Sequence, residues 1–285
     1  MKILYYRKEN RLMPGILTDK GIIDFNRALN SMNKKENSDF PLTKEKIEKV
    51  IKSEHLLLDQ SEFIPESDLA IAPCVPRPSK IICIGLNYKK HALESGMVVP
   101  PVPVAFTKYN NTLTEYSNDI TLGTEGEQFD YEIELGVIIG RKCKHVLKDE
   151  ALNYVLGYCV ANDLSCRDLQ FKTSQWLLGK SLDQFLPLGK YVVTSDEVSD
   201  PQNLQLKCWV NGELRQNSNT GDMIFSVAEI IAFLSKYMTL DPGDLILTGT
   251  PEGVIMGLPE KKWLKPGDIV RVEIEKLGYT ENKMI

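Results

Sequence analysis

Residues 130–139 read Asp130-Tyr131-Glu132-Ile133-Glu134-Leu135-Gly136-Val137-Ile138-Ile139. The branched apolar run at the end of this stretch is strand-forming. Along a strand, successive side chains alternate between faces, so Glu132 and Glu134 project together while Ile133 and Leu135 face the other way. Two neighbouring carboxylates repel each other, and burial beside Val-Ile-Ile strips their hydration unless a cation compensates. A hard, oxygen-preferring ion such as Mg²⁺ would compensate. A solvated edge face, or pairing with Lys or Arg, would also accommodate an isolated Glu-x-Glu.

Outward from this strand, Asp163 stands in a similar setting. It follows the apolar stretch Gly157-Tyr158-Cys159-Val160-Ala161-Asn162 and precedes Leu164-Ser165-Cys166-Arg167-Asp168. Spacing alone leaves two readings open. Asp163 is either a third acid, leaving about half of an octahedral Mg²⁺ shell for water or substrate, or a cap for the following helix with Asp168 as its salt-bridging neighbour.

Further strands are predicted at KIICIGLNY from Lys80, VAFTKY, GKYVVTS, LKCWVNGEL, DLILTGT and DIVRVEIEKL. VNGE carries the Asn-Gly pair of a two-residue hairpin. Helices are expected over 148–155, around 167–176 and over 226–237, the last capped by Ser226 with Glu229 completing a capping box. KKHALESG reads as one short helical turn. Strands outnumber helices without regular βα alternation, which makes the fold class α+β and β-rich and excludes a doubly wound sheet.

Three prolines in Pro73–Pro78 read as a linker. They divide a small N-terminal α+β unit (1–74) from a larger one (75–285). The N-terminal unit has strands at KILYYR, PGILT and GIIDF, a polar loop over 31–40, and a helix capped by Thr43 that runs through KEKIEKVIKSEHLLL (44–58) and carries His55 as a surface residue.

Composition limits the function classes. Of 285 residues, 42% are hydrophobic and 26% charged, enough for a sizeable core, and the net charge of −5 argues against a nucleic-acid partner. No window nears the roughly 18 apolar residues of a membrane span. MKILYYRKENR becomes charged at once, without a signal-peptide apolar core, so the expectation is cytoplasmic, or an organelle matrix at most. The six cysteines form no C-x-x-C pair and read as reduced, buried hydrophobes. G-x-G-x-x-G and the P-loop pattern are both absent.

The ordered pieces IGLNYKKHALE, FDYEIELGVIIG, GYCVANDLSCRDLQ, GKSLDQFLPLG, WVNGELRQ and LILTGTPEGV resemble the fumarylacetoacetate hydrolase superfamily, in particular its acylpyruvate hydrolase and oxaloacetate decarboxylase-like branch. Several motifs in order over roughly 170 residues make a specific match. The resemblance implies a mixed β-sandwich roll preceded by a small β-rich domain, and a homodimer. It implies Mg²⁺ or Mn²⁺ held by Glu132, Glu134 and Asp163. It also places His91 and Glu94 on a His-x-x-Glu pair in a lid segment, Lys180 on the active-site lysine, Gln170 and Thr250 at the substrate carboxylate, and Arg167 beside the site.

The residues support these roles physically. His91 and Glu94, three apart, share a face of a helical turn, so Glu94 can orient His91 to activate water; a polar surface loop is the ordinary alternative. Lys180 can stabilise an enolate or oxyanion, or simply snorkel to solvent. Thr248-Gly249-Thr250-Pro251 can hold a carboxylate or shape a turn. His145 is expected to be exposed, and Trp176, Trp209 and Trp263 to pack. Where many members read Leu-Thr-Gly-Pro-Asn-Asp, this chain has Leu113-Thr114-Glu115-Tyr116-Ser117-Asn118-Asp119, which alters a loop expected to border the site. Leu186 replaces a small residue or Cys.

The activity so implied is that of a metal-dependent enzyme acting on a small 2-oxo acid through an enolate. Hydrolysis of acylpyruvates ranks first, oxaloacetate decarboxylation second, and isomerisation of a 2-hydroxy-diene-dioate third. A catalytically silent metal-binding scaffold is the non-enzymatic alternative.

Overall fold

The computed structural model describes residues 1–9, 11–30, 40–52 and 63–285. Most of the 31–40 loop, the end of the helix expected over 44–58, and His55 lie outside these residues.

Among the described residues, ten strands form one large mixed sheet. Its middle is the strand Ile133–Ile139, buried at all seven positions. This strand runs antiparallel to Val155–Asn162 on one side and to Leu245–Leu247 on the other. Leu245–Leu247 in turn pairs in parallel with Ile81–Gly85, beside which Val104–Thr107 forms the sheet edge.

Burial of both faces explains the near-continuous apolar sequence of the middle strand. Ile133, Leu135, Val137 and Ile139 enter one hydrophobic cluster with Leu206, Val270 and other residues of the second sheet. Ile138 belongs to a second cluster that contains Ile3, Phe25 and Ile47 from the N-terminal unit. The period of two therefore assigns one face of a single strand to each layer.

The second sheet has four antiparallel strands in the order Glu213–Asn219, Gln205–Val210, Ile269–Ile274 and Gly278–Lys283. The first two form the expected hairpin. Asn211 and Gly212 take φ values of 52° and 80°, the left-handed pair that a two-residue hairpin turn requires. The N-terminal strands Lys2–Lys8, Arg11–Thr18 and Gly21–Asp24 extend the large sheet, with Lys2 and Ile3 paired to Val193 and Val192.

The helix Val227–Tyr237 begins at Ser226, whose Oγ accepts from the Glu229 N–H while the Glu229 carboxylate accepts from the Ser226 N–H at 2.8 Å. Two expected helices take other forms. Lys148–Tyr154 is a 3₁₀ helix. The helix expected around 167–176 is two four-residue turns, Arg167–Gln170 and Leu177–Lys180. All six cysteines are free and buried. No helix among the described residues is long and apolar enough to cross a membrane.

Candidate active site and acidic cluster

The site forms where neighbouring strands of the large sheet end. Register sets Ala161 opposite Glu134 and Asn162 opposite Ile133, so Asp163 emerges beside Glu132. The Asp163 N–H donates to the Glu132 carbonyl at 2.8 Å. Glu132, Glu134 and Asp163 each offer a carboxylate oxygen, and these oxygens lie within 4.8 Å of one another. After the strand Leu245–Leu247, the Gly249 N–H donates to Glu134 Oε2 at 2.8 Å. Gly249 has φ +96°, and a Cβ there would stand 2.8 Å from Asn87 Cβ. Glycine is therefore what allows the backbone to reach the carboxylate.

Three buried cations balance the acids unevenly. Lys180 Nζ lies 2.6 Å from Glu132 Oε2 and 2.8 Å from Asp163 Oδ2. Lys108 Nζ lies 2.6 Å from Asp163 Oδ1 and also donates to the Leu164 carbonyl at 3.0 Å. Arg167 Nη2 lies 2.6 Å from Glu132 Oε1 and 2.9 Å from Asp130 Oδ2.

Lys180 reaches the cluster because Gly179 lets its helical turn press against the preceding one. A Cβ on Gly179 would lie 2.3 Å from the Cys166 carbonyl oxygen and from the Gln170 nitrogen. Burial opposes the Lys180 charge, but Asp163 and Glu132 outweigh it and raise its pKa. For Lys108 burial prevails and the pKa falls, although Asp163 pulls it the other way.

The acids respond in opposite directions. Burial works against ionised Glu132, yet Lys180 and then Arg167 overcome it and hold this carboxyl at about 2. Glu134 is pushed well above the carboxylate range, first by burial and then by the charges of Asp163 and Glu132. Ionising Glu134 therefore calls for added positive charge. Three converging carboxylates with one undercompensated member fit a hard divalent cation such as Mg²⁺ or Mn²⁺.

His91 sits in the helix Lys89–Glu94 and is buried, with Nδ1 3.0 Å from Glu94 Oε1. In the tautomer that donates from Nδ1 to Glu94, Nε2 is the nitrogen left with a free lone pair. Glu94 is held from its other side by the Gly253 N–H, at 3.1 and 3.0 Å from its two oxygens. A pocket brings His91 together with Glu132, Glu134, Arg167, Lys180 and Thr250, and Gln170 also lines it. Gln170 Oε1 accepts from Arg167 Nη1 at 2.9 Å. Asp163 lies behind this lining, between the two lysines.

The sequence reading missed three buried residues. Lys108 directly follows the strand Val104–Thr107, a placement that was its one available signal. Asp130 lies two residues before Glu132. It accepts from the Ile255 N–H at 2.8 Å and the Met256 N–H at 3.0 Å, tying Arg167 to a distant loop. Gln216 of the second sheet accepts from the Ile133 N–H at 3.0 Å and donates to Thr250 Oγ1 at 2.9 Å. Nothing local marks a glutamine for such a role.

One expectation is corrected. The altered loop over 113–119 does not line the pocket. It is drawn instead onto the strand Gly278–Lys283, where the Tyr116 carbonyl accepts from the Glu281 N–H at 2.9 Å and the Asn118 carbonyl from Asn282 Nδ2 at 2.8 Å. His145 is exposed, and Leu186 is buried beside Leu113.

Comparison with known proteins agrees with this architecture. Residues 80–285 match the family model "Fumarylacetoacetate (FAA) hydrolase C-terminal", and the chain belongs to that family. The mitochondrial oxaloacetate tautomerase Fahd2a of Rattus norvegicus is 44% identical over 230 residues, 80% of this chain and 74% of that one. Fumarylacetoacetate hydrolase from psychrophilic Exiguobacterium antarcticum superposes with a TM-score of 0.79 at 30% identity, covering 100% of this chain and 99% of that one. Fumarylpyruvate hydrolase from Pseudomonas aeruginosa, whose structure holds Mn²⁺ and pyruvate, gives 0.67 at 30% identity over 73% of this chain and 90% of that one.

Proposed function

We propose that the protein catalyses keto–enol tautomerisation of a small 2-oxo dicarboxylic acid of the oxaloacetate type. The observation that carries this reading is the placement of one buried base, His91, in a pocket it shares with the cations Arg167 and Lys180, the carboxylates Glu132 and Glu134, and the neutral polar groups of Gln170 and Thr250. The likeness to an oxaloacetate tautomerase supports the choice of acid.

Mg²⁺ or Mn²⁺ held by Glu132, Glu134 and Asp163 would supply polarisation of the 2-oxo group. Arg167, with Gln170 beside it, offers a positive charge to a substrate carboxylate. His91 Nε2 takes the proton from C3, and a proton is returned at the C2 oxygen. Only a C–H and an O–H bond change, and no water is consumed. Lys180 places a buried positive charge where the C2 oxygen becomes anionic.

A second reading, hydrolysis of acylpyruvates, is favoured by the 3.0 Å His91–Glu94 contact, since an oriented imidazole can equally deprotonate water. The deciding experiment follows enol-oxaloacetate by its ultraviolet absorbance with Mn²⁺-loaded and EDTA-treated protein, and assays acetylpyruvate in parallel. EDTA-sensitive enol decay without pyruvate formation is expected. Pyruvate and acetate from acetylpyruvate, with no effect on the enol, would make the protein a hydrolase. Release of CO₂ from oxaloacetate above the free-metal background would make it a decarboxylase.

A further inference from the structure

One wall of the pocket is an aromatic pair. Trp176 packs edge-on against Phe106, with ring centroids 5.2 Å apart. Lys180 Nζ lies 5.3 Å from the Phe106 centroid, so the pair stands immediately beyond the lysine that bridges Glu132 and Asp163. The indole also occupies the space a side chain would take at Gly85, where a Cβ would stand 2.5 Å from Trp176 Cζ3 and 2.9 Å from Cη2. Gly85 has no left-handed backbone to explain it. What glycine provides there is room for the ring.

The same two rings bound a second space. Beyond them runs an open groove, with Ile82, Ala105, Leu177 and Met238 in its lining. Phe106 and Trp176 line both spaces. They are thus a partition between a small charged pocket and a larger groove whose mainly apolar surface is interrupted by polar residues such as Lys80, Thr107 and Gln175.

We propose that Trp176, seated on Gly85, is a specificity-determining residue that limits the pocket to short 2-oxo acids by closing it off from this groove. The inference rests on the reading of the pocket as a 2-oxo acid site. With the indole gone, an alkyl tail extending past Phe106 enters apolar surroundings, while the charged groups that hold the 2-oxo acid end stay in place.

The test is calorimetric binding of pyruvate, 2-oxohexanoate and 2-oxooctanoate to the Mn²⁺-loaded full chain, so it does not depend on which reaction is catalysed. Wild-type protein is expected to bind pyruvate and to discriminate against the eight-carbon acid. In Trp176→Ala the ratio of the 2-oxooctanoate Kd to the pyruvate Kd falls by about tenfold or more, the scale on which hydrophobic subsites discriminate chain length. Gly85→Ala keeps every pocket side chain but displaces the indole, and moves the ratio the same way. It also serves as the independent variant if Trp176→Ala fails to fold. An unchanged ratio in either folded variant that still binds pyruvate overturns the proposal, as does wild-type protein that binds both acids equally. Wild-type protein that binds none of the three refutes the 2-oxo acid reading itself, and the role proposed for Trp176 falls with it.

Discussion

The acidic cluster and the His91 helix face the same pocket but are built differently. Glu132, Glu134 and Asp163 are fixed by the register of neighbouring sheet strands and enclosed by buried cations. His91 rides on a six-residue helix with no side-chain N-cap, steadied by the Glu94 contact with the Gly253 N–H. Unequal support also divides the cluster internally. Asp163 lies between two lysines, whereas Glu134 takes its hydrogen bond from a backbone N–H. Acids that share a site therefore need not share a role: Asp163 holds buried charges together, and Glu134 is the acid whose ionisation awaits another cation.

Replacing each of these two acids with its amide gives the largest expected effects. Asp163→Asn leaves Lys108 and Lys180 short of a partner, and breaking a buried ion pair costs about 3–5 kcal/mol. The melting temperature of EDTA-treated protein should fall sharply. Glu134→Gln replaces a carboxyl whose ionisation burial and its neighbours already oppose, so the metal-free melting temperature should hold or rise. Both variants should lose any stabilisation by added Mn²⁺, measured as the difference in melting temperature with and without the ion. Equal destabilisation of the metal-free variants would erase the distinction between the two acids.

The His91 helix should show the reverse balance. His91→Ala should lower turnover by about 10²–10⁴, the usual contribution of a positioned acid–base group. Its metal-free melting temperature should move far less than that of Asp163→Asn, because no buried ion pair is broken. Glu94→Gln keeps the shape of the side chain and gives a smaller loss of turnover. A large melting shift with little change in turnover would make His91 a packing residue.

Legibility in the sequence divides along similar lines. Alternation in residues 130–139 placed both glutamates on one face because the strand period is local. The Asn-Gly hairpin and the Ser226 capping box were legible for the same reason: a few adjacent residues determine each geometry. Asp163 needed the family resemblance, since its approach to Glu132 depends on a register between strands about 30 residues apart. Lys108, Asp130 and Gln216 escaped notice because their partners lie 34 to 126 residues away, and short-range pattern carries no information about such pairings. The misplacement of the 113–119 loop has a related origin. The resemblance supplied a location, but Tyr116 and Asn118 are tied to strand residues some 164 positions later.

The smallest expected effect contrasts the uncapped His91 helix with the capped helix Val227–Tyr237. Ser226→Ala removes the hydroxyl that accepts from the Glu229 N–H and should cost about 1 kcal/mol. Its partner Glu229 is held at about 2 by Lys148 and by the backbone and hydroxyl of Ser226. A carboxyl whose folded pKa lies below its ordinary value stabilises the fold above that value, and the contribution fades as pH falls toward the folded pKa. The Glu229 contribution should therefore be complete at neutral pH and decline from about 4.5 toward 2. It should be modest, because the side chain is partly exposed and solvent screens its ion pair with Lys148. In Glu229→Gln the part of the acid-induced loss of stability that belongs to this cap should disappear, seen as a shallower fall in unfolding free energy across that window in urea titrations. The substitution should leave turnover at neutral pH unchanged, since neither Ser226 nor Glu229 lines the pocket. An unaltered acid limb would mean that the capping box contributes nothing measurable, and the difference between the two helices would then lie only in the apolar face that Val227–Tyr237 buries.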